Sequence, residues 1–158
     1  MKRAGIAILF GVAGAIGTGI VVGAKEKKAT LQQKQRADRY LTIINTFNDW
    51  FITKQAEMTV EQYFTNNGIK RIAIYGMGLL GERLMDELYD SEVEVVYAID
   101  KNAATLCSKV DIVTPDDILE EVDAVVVTAV HFFDEIKKTL AGKLNCPIIS
   151  LDEVLEEI

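Results

Sequence analysis

One run, Lys70-Arg71-Ile72-Ala73-Ile74-Tyr75-Gly76-Met77-Gly78-Leu79-Leu80-Gly81, constrains the fold of this 158-residue chain more than any other. Ile72, Ala73 and Ile74 form a short apolar stretch bounded by charge and glycine, the pattern of a parallel strand buried on both faces. Gly76, Gly78 and Gly81 then match G-x-G-x-x-G. Glu82 to Leu88 reads as a helix with Leu80, Leu84, Met85 and Leu88 on one side. In a strand–turn–helix unit the first glycine permits the tight turn, the second lets backbone approach a pyrophosphate, and the third lets the helix pack close to the strand. N–H groups at the helix start would then face phosphate oxygens. The next apolar run, Val93 to Ile99, ends in Asp100, nineteen residues after Gly81, a spacing that suits a carboxylate gripping a ribose. The expectation is a dinucleotide- or nucleotide-binding βαβ unit. The alternative is the same unit keeping its glycines for packing alone.

On the binding reading, Gly76, Met77, Gly78, Leu79, Leu80 and Gly81 hold a diphosphate. Asp100 and Lys101 sit at the strand's C-terminal end, where open α/β sheets bind ligands. Asp100 would repel a 2′-phosphate, so NAD is expected over NADP; a nucleotide sugar remains open.

The remaining elements follow from punctuation. Thr59 and Gln62 fit a capping box that opens a short helix, and Asn66-Asn67-Gly68 stops it. Ala103 to Leu106 reads as a short helix, and Val110 and Ile112 as a brief strand. Thr114 and Pro115 read as N-cap and first position of a further helix. Ala124 to Val127 is a buried strand, Phe132 to Leu140 a helix, and Pro147 to Ile149 a strand, with a last short helix opened by Ser150 or Asp152. Right-handed crossovers then predict a Rossmann-like α/β domain over residues 59–158, with a five-stranded parallel sheet in the order 3-2-1-4-5.

The first third of the chain is different. Residues 1–58 carry nine Lys/Arg against four Asp/Glu; residues 59–158 carry eight against twenty. An acidic domain argues against nucleic acid as partner, and a basic segment beside an apolar one suggests a membrane surface. Residues 4–24 hold no charge and, as a helix, would span about 30 Å, the hydrocarbon thickness of a bilayer. Residues 1–24 therefore read as a transmembrane anchor. Lys25, Lys27, Lys28, Lys34, Arg36 and Arg39 follow it, so the positive-inside bias places the C-terminal domain in the cytoplasm of a single-pass inner- or plasma-membrane protein. A cleaved secretory signal ending near Val22-Gly23-Ala24 is the competing reading. Gly19 and Gly23 also allow a helix–helix contact in the membrane. Residues 25–58 contain no glycine or proline and read as a helical stalk. Its 37–40–44–47–51 series, Ala37 to Phe51, must pack on the domain or on a copy of the chain.

The acid–base inventory is thin. His131, the only histidine, follows the fourth strand; it is either a general acid/base at the ligand mouth or a loop residue beside Phe132 and Phe133. Thr128 ends that strand and could donate to a ligand. Tyr97 and Lys101 match the Y-x-x-x-K pair of short-chain dehydrogenases, but on a strand the two lie about 13 Å apart, so coincidence is expected. Asp116/Asp117, Glu120/Glu121 and Glu156/Glu157 read as solvated faces. Cys107 and Cys146 read as reduced thiols, and no metal site is expected.

The ordered set of Ile72 to Leu84, Tyr97 to Asn102 and Asp123 to Ala129, with Trp50 to Lys54, Tyr63-Phe64 and the closing Cys146 to Leu151, resembles small Rossmann domains of bacterial surface-polysaccharide and sugar-modification proteins. These are similar to the nucleotide-binding parts of membrane-linked polysaccharide epimerase/dehydratases and sugar acyltransferases. The resemblance covers roughly residues 47–158. It implies that Gly76, Gly78, Gly81 and Asp100 contact nucleotide. The catalytic modules of those larger relatives have no counterpart here, so it implies binding more than turnover. Three functions are expected in order: a membrane-anchored NAD- or nucleotide-sugar-binding accessory or sensing module, a small NAD-dependent or sugar-modifying enzyme completed by oligomerisation, and a regulatory domain of a membrane transport system.

Overall fold

The computed structural model describes the backbone of residues 7–158 and the side chains of residues 26–158. Helix α1 runs from Ala7 to Gln55 and passes the boundary expected at Ala24 without a break. The chain divides into two units between Leu41 and Thr42. Among the described residues no helix is long and apolar enough to cross a membrane; the side chains of the expected span, residues 4–24, lie outside them.

The second unit is α/β. Helix α2 (Val60–Asn66) leads to β1 (Arg71–Tyr75), α3 (Leu79–Glu87), β2 (Glu94–Ile99), β3 (Ile112–Val113), β4 (Ala124–Val127), α4 (Phe133–Leu140), β5 (Ile148–Ser150) and α5 (Leu151–Glu156). All strand pairs are parallel, and the sheet order is β3-β2-β1-β4-β5, as the crossover rule predicts. The capping chemistry expected for α2 is formed: Gln62 N donates to Thr59 Oγ1 and Thr59 N donates to Gln62 Oε1.

Alternation along the strands splits the core into two layers. Ile72, Ile74, Ala98, Ala124 and Val126 face α1, α2, α3 and α5 through Trp50, Phe64, Leu84 and Leu151. Ala73, Tyr75, Tyr97, Ile99, Val125 and Val127 face α4 through Ile136 and Leu140. All four β4 side chains are fully buried, each valine contributing roughly 1.5–3 kcal/mol. Between Ile72 and Ala73 the register with β2 slips, from Val95 to Tyr97. That bulge reverses the face parity of β2, so Asp100 emerges on the side of the β1–α3 turn.

Two sequence expectations need correction. No helix follows Thr114. Its opening turn forms, with Thr114 N and Oγ1 both donating to Asp117 Oδ2, but it goes no further. The carbonyls of Pro115, Glu120 and Glu121 instead accept from Lys143, Tyr97 and Arg71, which leaves them unavailable to a helical ladder. Asp117 and Glu120 thus hold structure rather than merely face solvent.

The packing face of α1 is also rotated from the one expected. Thr46, Trp50 and Thr53 are buried, and Ile43 and Phe47 pack beside them, whereas Tyr40, Ile44 and Phe51 are exposed. The series 37–40–44–47–51 mixed two faces of one helix. The helix ends at Gln55 rather than at Met58. Met58 N closes back on Thr53 O, and Glu57 takes a left-handed φ of 60° in the position usually given to glycine.

Candidate functional site

β1 hands its chain to α3 on one face of the sheet, and β4 hands its chain to α4 on the other. The two loops leave the sheet's carboxyl end towards opposite faces, which makes this the switch point where open α/β sheets place their ligand crevice. The glycine motif lies there beside the end of β4, with Gly76 close against Thr128 and Ala129.

The three glycines do different work. Gly76 turns the chain with φ of 99°, and its N–H donates to Ile99 O at 2.8 Å. A Cβ there would lie 3.1 Å from Thr128 Oγ1. Gly81 is fixed by close approach: a Cβ would fall 2.1 Å from Gly76 O, inside any possible contact. It lets the first turn of α3 lie on the β1–α3 turn. Gly78 has an ordinary φ of −83°, and a Cβ built on it meets nothing within 4 Å. Packing therefore leaves Gly78 unconstrained, and the space before it is open to solvent.

Gly78 is also the N-cap of α3, and no side chain caps this helix, whereas Thr59 caps α2. The helix start is thus presented without a protein acceptor from its own cap residue, where the dipole favours an anion. Leu79 points outward, 59 % exposed, while Leu80 and Met77 are buried in the core.

Asp100 closes the loop from the neighbouring strand. Its Oδ2 accepts from Met77 N at 2.9 Å and its Oδ1 accepts from Asn102 N at 2.8 Å. A carboxylate has about four lone-pair sites, so two remain for further donors such as ribose hydroxyls. Lys101, expected at the ligand, instead reaches across the mouth to Glu135 at 3.5 Å. Thr128, expected as a ligand donor, spends its one proton on the Gly76 and Tyr75 carbonyls and is buried. Its role is to tie the end of β4 to the glycine turn.

Tyr75 immediately precedes Gly76. Its hydroxyl is buried without a hydrogen-bond partner, and burial followed by the charges of Asp100, Glu135 and Asp116 raises its pKa, so it stays protonated. Tyr97 is held away from chemistry: its hydroxyl donates to Glu120 O at 2.8 Å, and burial pushes its pKa up to about 12. The match to Y-x-x-x-K is coincidence.

His131 is exposed and meets Phe132 edge-on, with ring centroids 5.2 Å apart. Both rings line an open hollow of roughly 370 Å³ at the carboxyl ends of β4 and β5, lined also by Asp134, Glu135, Ser150 and Asp152. Among the described residues no group of three or more His, Cys, Asp or Glu side chains is placed to hold a metal ion. Cys107 is exposed, and burial raises the pKa of the half-buried Cys146 thiol.

Sequence reasoning missed the Asp100–Met77 bond, the Thr128 tie and the cavity beside His131. The first two depend on which face a bulged strand presents, which period-2 patterning does not encode. The cavity had one signal, the aromatic pair Phe132-Phe133 following a strand end.

No curated protein and no solved structure matches the chain. The family described as C2185-like, N-terminal matches residues 68–147, just over half of the chain. That span runs from the turn before β1 to the residue before β5, and it contains all three glycines, Asp100, Thr128 and His131. The chain belongs to the C2185-like N-terminal family.

Proposed function

We propose that this chain is a Rossmann-like nucleotide-binding module that takes NAD or a nucleotide sugar at its glycine turn, tethered to a membrane by residues 1–24 with the domain on the cytoplasmic side. The observation that carries the reading is the open space before Gly78, bordered by an uncapped helix start and by Asp100. Backbone N–H groups there suit a diphosphate, and the spare lone pairs of Asp100 suit an unphosphorylated ribose. The tether rests on the uncharged run 4–24 and its basic flank. The likeness to polysaccharide and sugar-modification proteins supports a role as an accessory or sensing subunit in cell-envelope polysaccharide synthesis.

A second reading, an enzyme with His131 as acid–base residue, is favoured by the cavity that His131 and Phe132 line next to the crevice. Alanine at His131 would then abolish turnover and leave nucleotide affinity intact.

The deciding experiment is calorimetric titration of the full chain in detergent with NAD, NADH, NADP and nucleotide sugars, beside Gly78→Val. Binding that the variant loses supports the pocket, and the tightest ligand tells redox cofactor from sugar donor. An Asp100→Asn variant should narrow the gap between NAD and NADP. A folded chain that binds none of these ligands overturns the proposal.

A further inference from the structure

We infer that Ile44, Asn48, Phe51 and Ile52 form a docking seam for a second copy of this chain, the two α1 helices pairing parallel and in register. The inference is independent of nucleotide binding. From Thr42 to Gln55, α1 has two apolar faces. One packs on the domain through Ile43, Phe47 and Trp50. The other lies about 120° around the helix at roughly 100° per residue. There Ile44, Phe51 and Ile52 are 60 %, 62 % and 53 % exposed, and Asn48 is exposed between them.

The spacing says what fits this face. Ile44, Asn48 and Phe51 advance by four and then three residues, and in sequence the same register runs back through Leu41 to Ala37. A 4–3 repeat is the seam that a second helix fills with knobs into holes. The next seam position back is Lys34, whose charge ends the repeat.

Asn48 selects the partner. Its Nδ2 donates to Asp49 Oδ1 at 3.4 Å, a long bond, and a lipid chain or an apolar cover would leave its amide carbonyl without a donor. In a parallel, in-register pair, Asn48 meets Asn48 of the other copy, and each amide supplies the donor the other's carbonyl accepts. An antiparallel pair centred on the seam would set it against Ile44. A single asparagine at such a position fixes register and two-stranded pairing. The area suffices. Tyr40 and Leu41 are also exposed, and five such side chains at about 100 Å² each give roughly 1,000 Å² over two copies, the lower bound for a specific interface.

Sedimentation of the full chain in neutral detergent tests this. The native chain should be dimeric, and Phe51→Glu should weaken the dimer at least about a hundredfold while leaving Trp50 emission unchanged, and it should lower the melting temperature only at concentrations where the native chain is dimeric. Should Phe51→Glu fail to fold, Ile44→Ser carries the same comparison. In a Cys107→Ser, Cys146→Ser background, Ala37→Cys should cross-link to itself under a mild oxidant, which an antiparallel pair forbids. A monomeric native chain, a folded seam variant as dimeric as the native one, or no cross-link at position 37 overturns the inference.

Discussion

Trp50 Nε1 donates to Glu87 Oε2 at 2.7 Å, joining the C-terminal part of α1 to the last residue of α3. The same carboxylate accepts from Val60 N at 3.3 Å and pairs with Lys54 Nζ at 2.6 Å, with its side chain 12 % exposed. A carboxylate at a helix C-terminus works against the helix dipole, and these three donors offset that cost. The helix whose start lies at the glycine turn is thereby held at its other end by α1.

Removing the acceptor should therefore cost more than removing one donor. Glu87→Ala leaves the indole and the Val60 N–H without an acceptor in a half-buried site, and should destabilise by about 2–4 kcal/mol. Trp50→Phe keeps most of the packing and should cost about 1–2 kcal/mol. Thermal melts check both. Because Trp50 is the only tryptophan, its emission in Glu87→Ala reports directly on this contact.

The glycines should separate stability from binding. Gly81→Ala drives a methyl into the Gly76 carbonyl and should cost upwards of about 3 kcal/mol. Gly76→Ala imposes a left-handed φ on alanine against Thr128 and should cost about 1–3 kcal/mol. Gly78→Val meets no clash and should cost no more than about 1 kcal/mol, the usual penalty for an apolar residue at a helix N-cap. Urea unfolding of the three variants gives the order 81, 76, 78. A Gly78 variant as unstable as the Gly81 variant would contradict the open space seen there.

Tyr75→Phe should behave against the usual rule for a buried polar group. The hydroxyl is buried without a partner, so its removal should leave the melting temperature unchanged or raise stability by up to about 1 kcal/mol. A clear loss of stability would mean that the hydroxyl has a bonded partner in solution.

Acid should act through Asp123. Its Oδ2 accepts from Lys70 N at 2.9 Å and Arg71 N at 2.8 Å, and those bonds hold its pKa below the ordinary carboxylate value. The unfolded chain then binds the proton at higher pH than the folded one. The stabilisation is present in full above the unfolded value, near 3.8, and is lost as pH falls through the depressed folded value. Melting temperatures followed from pH 5 to pH 2 should fall, and Asp123→Asn should flatten that slope.

Most of the sheet was legible because buried parallel strands are written as short apolar runs with glycine or charge at their ends. Ile72 to Ile74 and Ala124 to Val127 are such runs, and α2 was legible from a reciprocal cap. What failed was whatever depended on competition for a backbone group. The turn at Thr114 has the opening of a helix, yet Lys143, Tyr97 and Arg71, all distant in sequence, take its carbonyls. On α1, hydrophobicity alone did not decide which of two apolar faces meets the domain; the pairing of Trp50 with Glu87 did. At the site, the three glycines and Asp100 stand where the motif puts them. The reassignment of Thr128 from ligand donor to tie needed the position of a single hydroxyl oxygen, set between the Tyr75 and Gly76 carbonyls.

The open space before Gly78 sets it apart from the other two glycines of the motif. Architecture alone enforces glycine at 76 and 81, so any descendant that keeps this fold must keep both. At 78 packing makes no such demand, and on the proposed function a bound nucleotide would be what excludes a side chain there. On the proposed function, relatives that no longer bound a ligand would be free to drift at that single position while its neighbours stood still.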